Sequence, residues 1–65
     1  MIIKTEYITL GQFLKFIGIA NTGGLVKNII NNENILVNDI EEKRRGKKIK
    51  KNDTITFKNK KYIIK

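Results

Sequence analysis

The chain has neither cysteine nor histidine among its 65 residues. Without cysteine, no disulfide framework and no thiolate metal site is available to hold a small core together. The usual zinc ligands, thiol nucleophiles and general bases are therefore missing as well. The six acidic residues are scattered among cations. The sequence thus predicts a non-catalytic protein with no metal, no cofactor and no small-molecule substrate.

Long apolar runs and proline are absent too. No apolar run approaches the roughly 18 residues that a transmembrane helix needs, and the N-terminal stretch MIIKTEYI has neither the basic region nor the cleavage signal of a secretory peptide. We therefore expect a soluble, cytoplasmic protein with no membrane partner. No proline interrupts the helices and strands predicted below.

The length predicts a single domain over residues 1–65, with a monomer as the expected state. A chain of this size buries only roughly 60% of its unfolded surface, so its core should be small and its stability marginal. Hydrophobic residues make up 40% of the sequence and are spread along its whole length. This is enough apolar material for a folded domain, in contrast to a disordered segment.

The basic residues are concentrated in one stretch. The net charge is +8, and Lys43 to Lys51, KRRGKKIKK, holds seven of the fourteen Lys and Arg residues. The rest of the chain carries seven Lys against six acids, close to neutrality. A net charge of this size attracts nucleic acid or an anionic membrane surface, and charge alone does not choose between them.

The N-terminal half predicts a short strand and two helices. Residues 2–8 are rich in β-branched and aromatic side chains, which favours a strand. Thr9 and Gln12 form a capping box, so a helix should begin at Leu10, and Gly18 can end it in a left-handed conformation. Its apolar stripe is Leu10, Phe13, Leu14 and Ile17.

Thr22 is the expected N-cap of a second helix, from Gly23 to about Asn32, antiparallel to the first. Its predicted buried stripe is Leu25, Val26, Ile29 and Ile30. Gly23 and Gly24 leave the first backbone N–H groups uncovered, as at an anion site, although a plain helix-entry turn explains them as well.

The C-terminal half changes to a period of two, which is typical of strands. Strands are expected over residues 35–37, from Ile40 onward, over 54–57 and over 61–64, with turns at Asn38-Asp39 and around Asn59. The basic stretch begins on the second of these strands. Between Gly46 and Asp53 we expect an irregular crossing anchored by Ile49. The predicted fold class is α+β.

Most aromatic residues are assigned to the core. Tyr7, Phe13, Phe57 and Tyr62 lie in apolar stripes. Phe16 lies off the main stripe of the first helix, so it should cover the edge of the core in preference to offering a stacking surface for an unpaired base.

The stretches TLGQFLKFIGIANTGGLVKNII, ILVND, RRGKK and KKNDTITF together resemble the RNA-binding domain named after small-subunit ribosomal protein S-four. The chain is most similar to the stand-alone bacterial members of that family, the YaaA-like proteins. The resemblance extends from about Ile8 to Phe57. It implies a two-helix pair packed on a small, bent antiparallel sheet, and a partner that is structured RNA, such as ribosomal or transfer RNA.

The resemblance also implies an RNA surface formed by the start and exposed face of the second helix together with the neighbouring hairpin. Carried onto this chain, the candidate RNA-binding residues are Gln12, Lys15, Thr22, Gly23, Gly24, Lys27, Asn31, Lys43, Arg44, Arg45, Lys47 and Lys48. Arg44 and Arg45 should point to opposite faces of a strand, so one of them can pair with Glu6, Glu41 or Glu42.

The chain departs from the family pattern at two places where glycine is common. Glu33 lies between the second helix and the next strand, and Asn38-Asp39 lies at the hairpin turn. Asn and Asp are the non-Gly residues that best tolerate positive φ, so the backbone path should survive with some strain.

Three other interpretations remain open from the sequence. The basic stretch is also compatible with a solvated loop, with an adaptor that docks on acidic protein surfaces, or with a nonspecific DNA binder. Peripheral membrane binding is disfavoured, because each predicted helix offers a single lysine, Lys15 or Lys27, where a basic amphipathic face needs several.

Overall fold

A computed structural model describes residues 2–65. Within this range the chain forms two helices and six short strands. In chain order the elements are β1 (Tyr7–Thr9), α1 (Leu10–Phe16), α2 (Gly23–Asn32), β2 (Ile35–Val37), β3 (Ile40–Glu41), β4 (Lys48–Lys50), β5 (Thr54–Phe57) and β6 (Lys60–Ile63).

The strands form two antiparallel sheets. Strands β1 and β4 make a two-stranded ribbon, and the other four make a sheet of order β3-β2-β5-β6. Helices α1 and α2 contact each other, and α1 follows β1 directly. The predicted α+β class with a helix pair and small antiparallel sheets is confirmed, although the expected single sheet is divided into a ribbon and a four-stranded sheet.

The capping box of α1 is present as predicted. The Thr9 hydroxyl accepts a hydrogen bond from the Gln12 backbone N–H at 3.2 Å, and the Gln12 side chain accepts from the Thr9 N–H at 2.9 Å. Leu10, Phe13 and Leu14 are fully buried. Gly18 follows the helix with φ +80°, the left-handed conformation that glycine adopts without steric cost.

Helix α2 also begins where the sequence predicts. The Thr22 hydroxyl accepts a hydrogen bond from the Leu25 N–H at 3.2 Å, which makes Thr22 the N-cap. Val26 and Ile30 are buried, and Ile29 is half-buried against the core. The assignment of Leu25 to the buried stripe is wrong, because its side chain is 45% exposed.

Both hairpin turns use non-Gly residues at positive φ. Asn38 and Asp39 have φ of 53° and 68° between β2 and β3, and Lys58 and Asn59 have 50° and 66° between β5 and β6. Two consecutive positive φ values match the twist that two-residue hairpins need. Glu33 is extended, with φ −113°, so its position does not require glycine.

The side chain of Asn38 fastens its turn to the neighbouring strand. Its amide group donates to the Asp53 carboxylate at 3.1 Å, and its carbonyl oxygen accepts from the Thr54 N–H at 2.9 Å. The strain of a left-handed Asn38 is therefore offset by hydrogen bonds that glycine could not make.

The prediction of an irregular crossing between Gly46 and Asp53 is wrong. Residues 48–50 form strand β4, which pairs with β1 in the register Tyr7↔Lys50, Ile8↔Ile49 and Thr9↔Lys48. Ile49 is fully buried, so its predicted role as an apolar anchor is confirmed. Strand β1 is correspondingly shorter than the predicted 2–8.

The core contains apolar residues from both helices and both sheets. Phe13 packs edge-on against the half-buried Tyr62, with ring centroids 5.3 Å apart, and Phe57 is buried. Two aromatic assignments are wrong, because Tyr7 is 40% exposed and Phe16 is 69% exposed. No helix within residues 2–65 is both long and apolar enough to span a bilayer.

Candidate functional site

Residues 44–47, which we call the basic turn, connect to the first turn of α1 through the backbone. The Leu10 N–H donates to the Lys47 carbonyl and the Gly11 N–H donates to the Arg45 carbonyl, both at 2.9 Å. Helix N-termini have free N–H groups that need acceptors. The basic turn supplies these acceptors, so its position relative to α1 is set by the backbone.

Gly11 allows this close approach. A Cβ placed on Gly11 would lie 3.0 Å from Cγ of Arg45 and 3.5 Å from its carbonyl oxygen. The aliphatic part of the Arg45 side chain therefore runs directly over the backbone of α1. This contact directs the guanidinium away from the basic turn and across to α2.

The Arg45 guanidinium lies beside the N-terminus of α2. Its Nη1 atom is 3.7 Å from the position of a Cβ on Gly23. Within the part of the chain that the structure describes, no hydrogen bond occupies the N–H of Gly23 or Gly24, and the first turn of α2 has no acidic residue. A helix N-terminus carries a partial positive charge. Two positive groups therefore converge here.

The two helices differ at this point. At the start of α1, the N–H groups of Leu10, Gly11 and Gln12 all have acceptors inside the protein. At the start of α2, the N-cap hydroxyl serves Leu25, and the two glycines before it remain open. The N-terminus of α2 therefore has open N–H donors of the kind that bind anions in other proteins, whereas these three N–H groups of α1 are already occupied.

Two surface grooves meet at Arg45. The first, which we call the α1 groove, has a volume of about 300 Å³. The second, the α2 groove, has a volume of about 260 Å³ and runs along the exposed face of α2. The α1 groove is lined by Thr9, Gly11, Gln12, Lys15, Gly23, Val26, Arg45 and Gly46, and the α2 groove by Lys27, Ile30, Asn31, Lys43 and Arg45.

The grooves bring together seven of the twelve predicted site residues. These seven are Gln12, Lys15, Gly23, Lys27, Asn31, Lys43 and Arg45. Among the described residues, no carboxylate lines either groove. Arg45, Lys15 and Lys27 form no ion pair within residues 2–65, so their positive charge is available to a polyanion.

Arg44 is placed differently from its neighbour. Both Arg residues lie in the basic turn and not on a strand, so the prediction of opposite strand faces is wrong. Arg44 donates from Nε to the Glu42 carboxylate at 3.0 Å and from Nη2 at 3.2 Å. The predicted pairing of one Arg with a nearby Glu is thus confirmed for Arg44 and Glu42.

This ion pair changes the titration of Glu42. The hydrogen bonds from the Arg44 side chain lower the pKa of Glu42 from 4.5 to about 2. The Arg44 side chain is 73% exposed and that of Glu42 13% exposed. The charge of Arg44 is therefore paired with a carboxylate, whereas Arg45 forms no ion pair within the described residues.

Lys43 has a structural contact in addition to its place in the α2 groove. Its Nζ donates to the carbonyl of Ile30 at 3.2 Å and to that of Glu33 at 3.4 Å. These carbonyls lie at the C-terminus of α2, where the helix is partly negative and lacks donors of its own. Lys43 therefore caps α2 from the neighbouring segment.

The remaining predicted residues lie outside the two grooves. Thr22 is the N-cap of α2, and Gly24 lies in its first turn. Lys47 is half-buried beside α1. Lys48 lies on the exposed face of the ribbon, with its Nζ 5.0 Å from the centre of the Tyr7 ring. Their predicted contacts with RNA remain predictions.

Sequence reasoning did not choose Glu42 from the three acidic residues it offered as partners, and it missed Tyr7 and Lys50 as exposed neighbours of Lys48. The alternation Lys48-Ile49-Lys50 is a signal for the second pair, because a buried Ile49 requires both lysines to point outward from a strand.

Comparison with known proteins adds two findings. The family model for the S4 domain, the S-four domain named above, matches residues 1–65. A protein of Bacillus subtilis (strain 168), described as a probable ribosome maturation protein RlbA, is 43% identical over 53 residues. That match covers 82% of this chain and 75% of the relative.

Proposed function

Because the chain belongs to the S4 domain family, we propose that it is a single, non-catalytic RNA-binding domain over residues 1–65 that binds structured RNA, ribosomal or tRNA-like, on or near the ribosome. It acts as a monomer in the cytoplasm and needs no cofactor. The name of the Bacillus subtilis relative, a probable ribosome maturation protein, supports the ribosomal setting.

One observation supports the RNA-binding proposal most strongly. The Arg45 guanidinium lies close to the open N-terminus of α2. Among the described residues, those that line the two grooves include no carboxylate. The repulsion between the guanidinium and the helix dipole is relieved when an anion lies between them. A phosphate group suits this position, because Arg can bind it with two parallel hydrogen bonds while backbone N–H groups bind from the other side.

The grooves extend this contact along an RNA backbone. Lys15 lies in the α1 groove, and Lys27 with Asn31 in the α2 groove, on either side of Arg45. If about four to six phosphates are neutralised, the plot of log affinity against log salt concentration should have a slope of roughly −3 to −5. Few side chains are placed to read base edges, so shape and phosphate contacts provide most of the recognition.

The rival proposals differ from this one in what they bind. An adaptor for acidic protein surfaces would remain bound to its partners after nuclease treatment, whereas an RNA-dependent interaction would be lost. A nonspecific DNA binder would show no preference for folded RNA over duplex DNA of equal length when the two compete directly. Phosphate attraction alone does not distinguish the two polymers, but the 2′-hydroxyl and the A-form shape do.

A pair of charge-reversal variants tests the proposed surface. We expect Arg45→Glu to lower the affinity for a folded ribosomal RNA fragment by about tenfold or more, because it removes charge-assisted hydrogen bonds and adds a carboxylate beside the α2 N-terminus. Lys61→Glu is the matched control. It changes the net charge by the same amount on the exposed surface of β6, outside both grooves.

Affinity should be measured by electrophoretic shift or fluorescence anisotropy at several salt concentrations. A loss confined to Arg45→Glu supports the surface. Equal losses in both variants would show that binding depends on net charge and not on this site, and unchanged binding by Arg45→Glu would exclude the site.

A further inference from the structure

A third groove continues the two that meet at Arg45. It is lined by Thr5, Glu6, Tyr7, Ile8 and Gln12, and we call it the Tyr7 groove. Gln12 also lines the α1 groove, as Arg45 lines both the α1 and the α2 groove. The three grooves therefore adjoin one another at these shared residues, and we call the series the track, which runs from Asn31 on α2 to Tyr7 on β1.

The ribbon of β1 and β4 presents a basic and aromatic face beside the end of this track. Ile49 is buried and Ile8 packs against the core, so the alternate residues of both strands point outward. Tyr7 lies opposite Lys50, and Thr9 lies opposite Lys48. The Lys48 Nζ reaches diagonally across the ribbon to the Tyr7 ring.

Tyr7 is not needed to fill the core. Its side chain is 40% exposed, and its hydroxyl has no hydrogen-bond partner within residues 2–65. An exposed aromatic ring next to lysine is the combination that binds single-stranded nucleic acid, since the ring stacks on a base and the ammonium neutralises the adjoining phosphate.

Glu6 determines which part of a nucleotide fits the Tyr7 groove. Its carboxylate repels phosphate, so the nucleic-acid backbone should pass on the side of Lys48 and Lys50, with the base turned toward Tyr7. A carboxylate accepts hydrogen bonds from exocyclic amino groups of bases, as on cytosine. The acid therefore favours a base in this groove and disfavours a phosphate.

We propose that Tyr7, with Lys48 and Lys50 beside it, binds an unpaired nucleotide that directly flanks the structured RNA held by the other two grooves. This inference rests on the proposed function and narrows its ligand. The preferred RNA has a single-stranded extension next to a helical segment, and the extension follows the track past Gln12 to the ribbon.

The test compares two synthetic RNA hairpins with the full chain. One hairpin is blunt, and the other carries a single-stranded extension of a few nucleotides, made in separate versions at the 5′ and the 3′ end. We expect the wild type to bind one extended version at least about fivefold more tightly than the blunt hairpin, since stacking on an aromatic side chain contributes this much per base. A 2-aminopurine in that extension should lose fluorescence on binding.

Variants identify the residue responsible. Tyr7→Ala should lose the preference for the extension and the fluorescence change while retaining its affinity for the blunt hairpin, and Tyr7→Phe should retain both. Phe16→Ala is the control, because Phe16 is another exposed aromatic residue and lines none of the three grooves. Thermal melting of each variant checks that it is folded.

The outcomes separate this inference from the proposed function. Equal wild-type affinity for the blunt and extended hairpins overturns the inference and leaves the proposed function in place. A preference that persists in Tyr7→Ala, or a loss of affinity by that variant for both hairpins alike, also overturns it. Absence of binding to any hairpin contradicts the proposed function and the inference together.

Discussion

Arg44 and Glu42 form a two-point ion pair, in which the guanidinium Nε and Nη2 atoms donate to the two carboxylate oxygens at 3.0 and 3.2 Å. The same carboxylate accepts the Arg44 backbone N–H at 3.1 Å. Glu42 thereby organises the entry to the basic turn. Of the two adjacent arginines, Arg44 holds the turn and Arg45 faces the grooves.

The ion pair should make stability depend on acid pH. The folded-state pKa of Glu42, about 2, lies below its ordinary value of 4.5. Its contribution to the free energy of unfolding is therefore complete above pH 4.5 and is lost as the pH falls from there through about 2. We expect wild-type stability to decline more steeply over this window than that of Glu42→Gln, measured by urea unfolding at each pH.

The control for this experiment is Glu41→Gln, which removes a neighbouring exposed carboxylate that forms no ion pair within residues 2–65. At neutral pH, Glu42→Gln should lower the melting temperature by no more than about 5 °C, since solvent screens an ion pair with an exposed partner. Parallel pH curves for wild type and Glu42→Gln would contradict the assigned role of Glu42.

Because Lys43 caps α2, removal of its ammonium group should lower the stability of the protein without changing its fold. Lys43→Met keeps the aliphatic chain but removes the ammonium that contacts the Ile30 and Glu33 carbonyls. We expect the free energy of unfolding to fall by about 0.3 to 1 kcal/mol, the usual range for a cation at a helix C-terminus. Urea denaturation measures the change.

Lys61→Met is the matched control, because Lys61 is exposed on β6 and lies far from a helix end in the sequence. High salt should reduce the difference between wild type and Lys43→Met. If the two lysine variants have the same stability, the cap contributes nothing measurable.

Substitution of Gly11 should disturb the position of Arg45. A Cβ on residue 11 would lie 3.0 Å from Arg45 Cγ and 3.4 Å from Val26 Cγ1, closer than ordinary contacts. In Gly11→Ala we expect weaker RNA binding, by about threefold, as Arg45 is displaced from the α2 N-terminus. The close contacts of the added methyl group lower stability, and the better helix propensity of Ala raises it by up to about 1 kcal/mol. The net change in the free energy of unfolding should therefore be small.

Gly24→Ala is the comparison, since the nearest atom to its Cβ is the Thr22 hydroxyl oxygen at 3.9 Å. This variant gains helix propensity without touching Arg45, so it should retain RNA binding more fully than Gly11→Ala does. The reverse order of affinities would show that the exposed backbone at Gly24 matters more than the position of Arg45.

Lys27 should contribute to RNA binding chiefly through its charge. It is exposed in the α2 groove, and among the described residues its ammonium group has no ion-pair or hydrogen-bond partner. Lys27→Ala should reduce the steepness of log affinity against log salt by about 0.7 to 0.9, the value for one phosphate contact. Lys61→Ala should leave the slope unchanged, and an unchanged slope in Lys27→Ala would remove that residue from the site.

The helical half of the fold is predictable because its signals are local. The capping box at Thr9, the N-cap at Thr22 and the left-handed Gly18 are each set by residues within a few positions, and all three are confirmed. The stripe of α2 is predictable only in part, because a broad apolar pattern does not say which of its edges lies outward. Leu25 lies on the outward edge, so its predicted burial is wrong.

The β1–β4 ribbon was not predictable in the same way. Its strands are separated by about forty positions, and β4 lies inside a stretch whose lysines disfavour a strand on composition alone. Pairing with β1 and burial of Ile49 outweigh that local preference. The outward direction of Tyr7 is set by this pairing. The local apolar pattern, which does not contain the pairing, therefore predicts wrongly that Tyr7 lies in the core.

The candidate site was predictable as a set of charges but not as an arrangement. The resemblance to the S-four family selected the residues, and seven of them line the two grooves. The separate contacts of Arg44 and Arg45 follow from a turn that hydrogen bonds to α1, a long-range relation that adjacent positions in the sequence do not reveal.

The two backbone hydrogen bonds from Leu10 and Gly11 to the basic turn have a thermodynamic consequence. These bonds restrain the conformation of the basic turn in the free protein, so the proposed association with RNA should lose little conformational entropy there. The heat-capacity change of binding should consequently be small beside that of segments that fold on their targets.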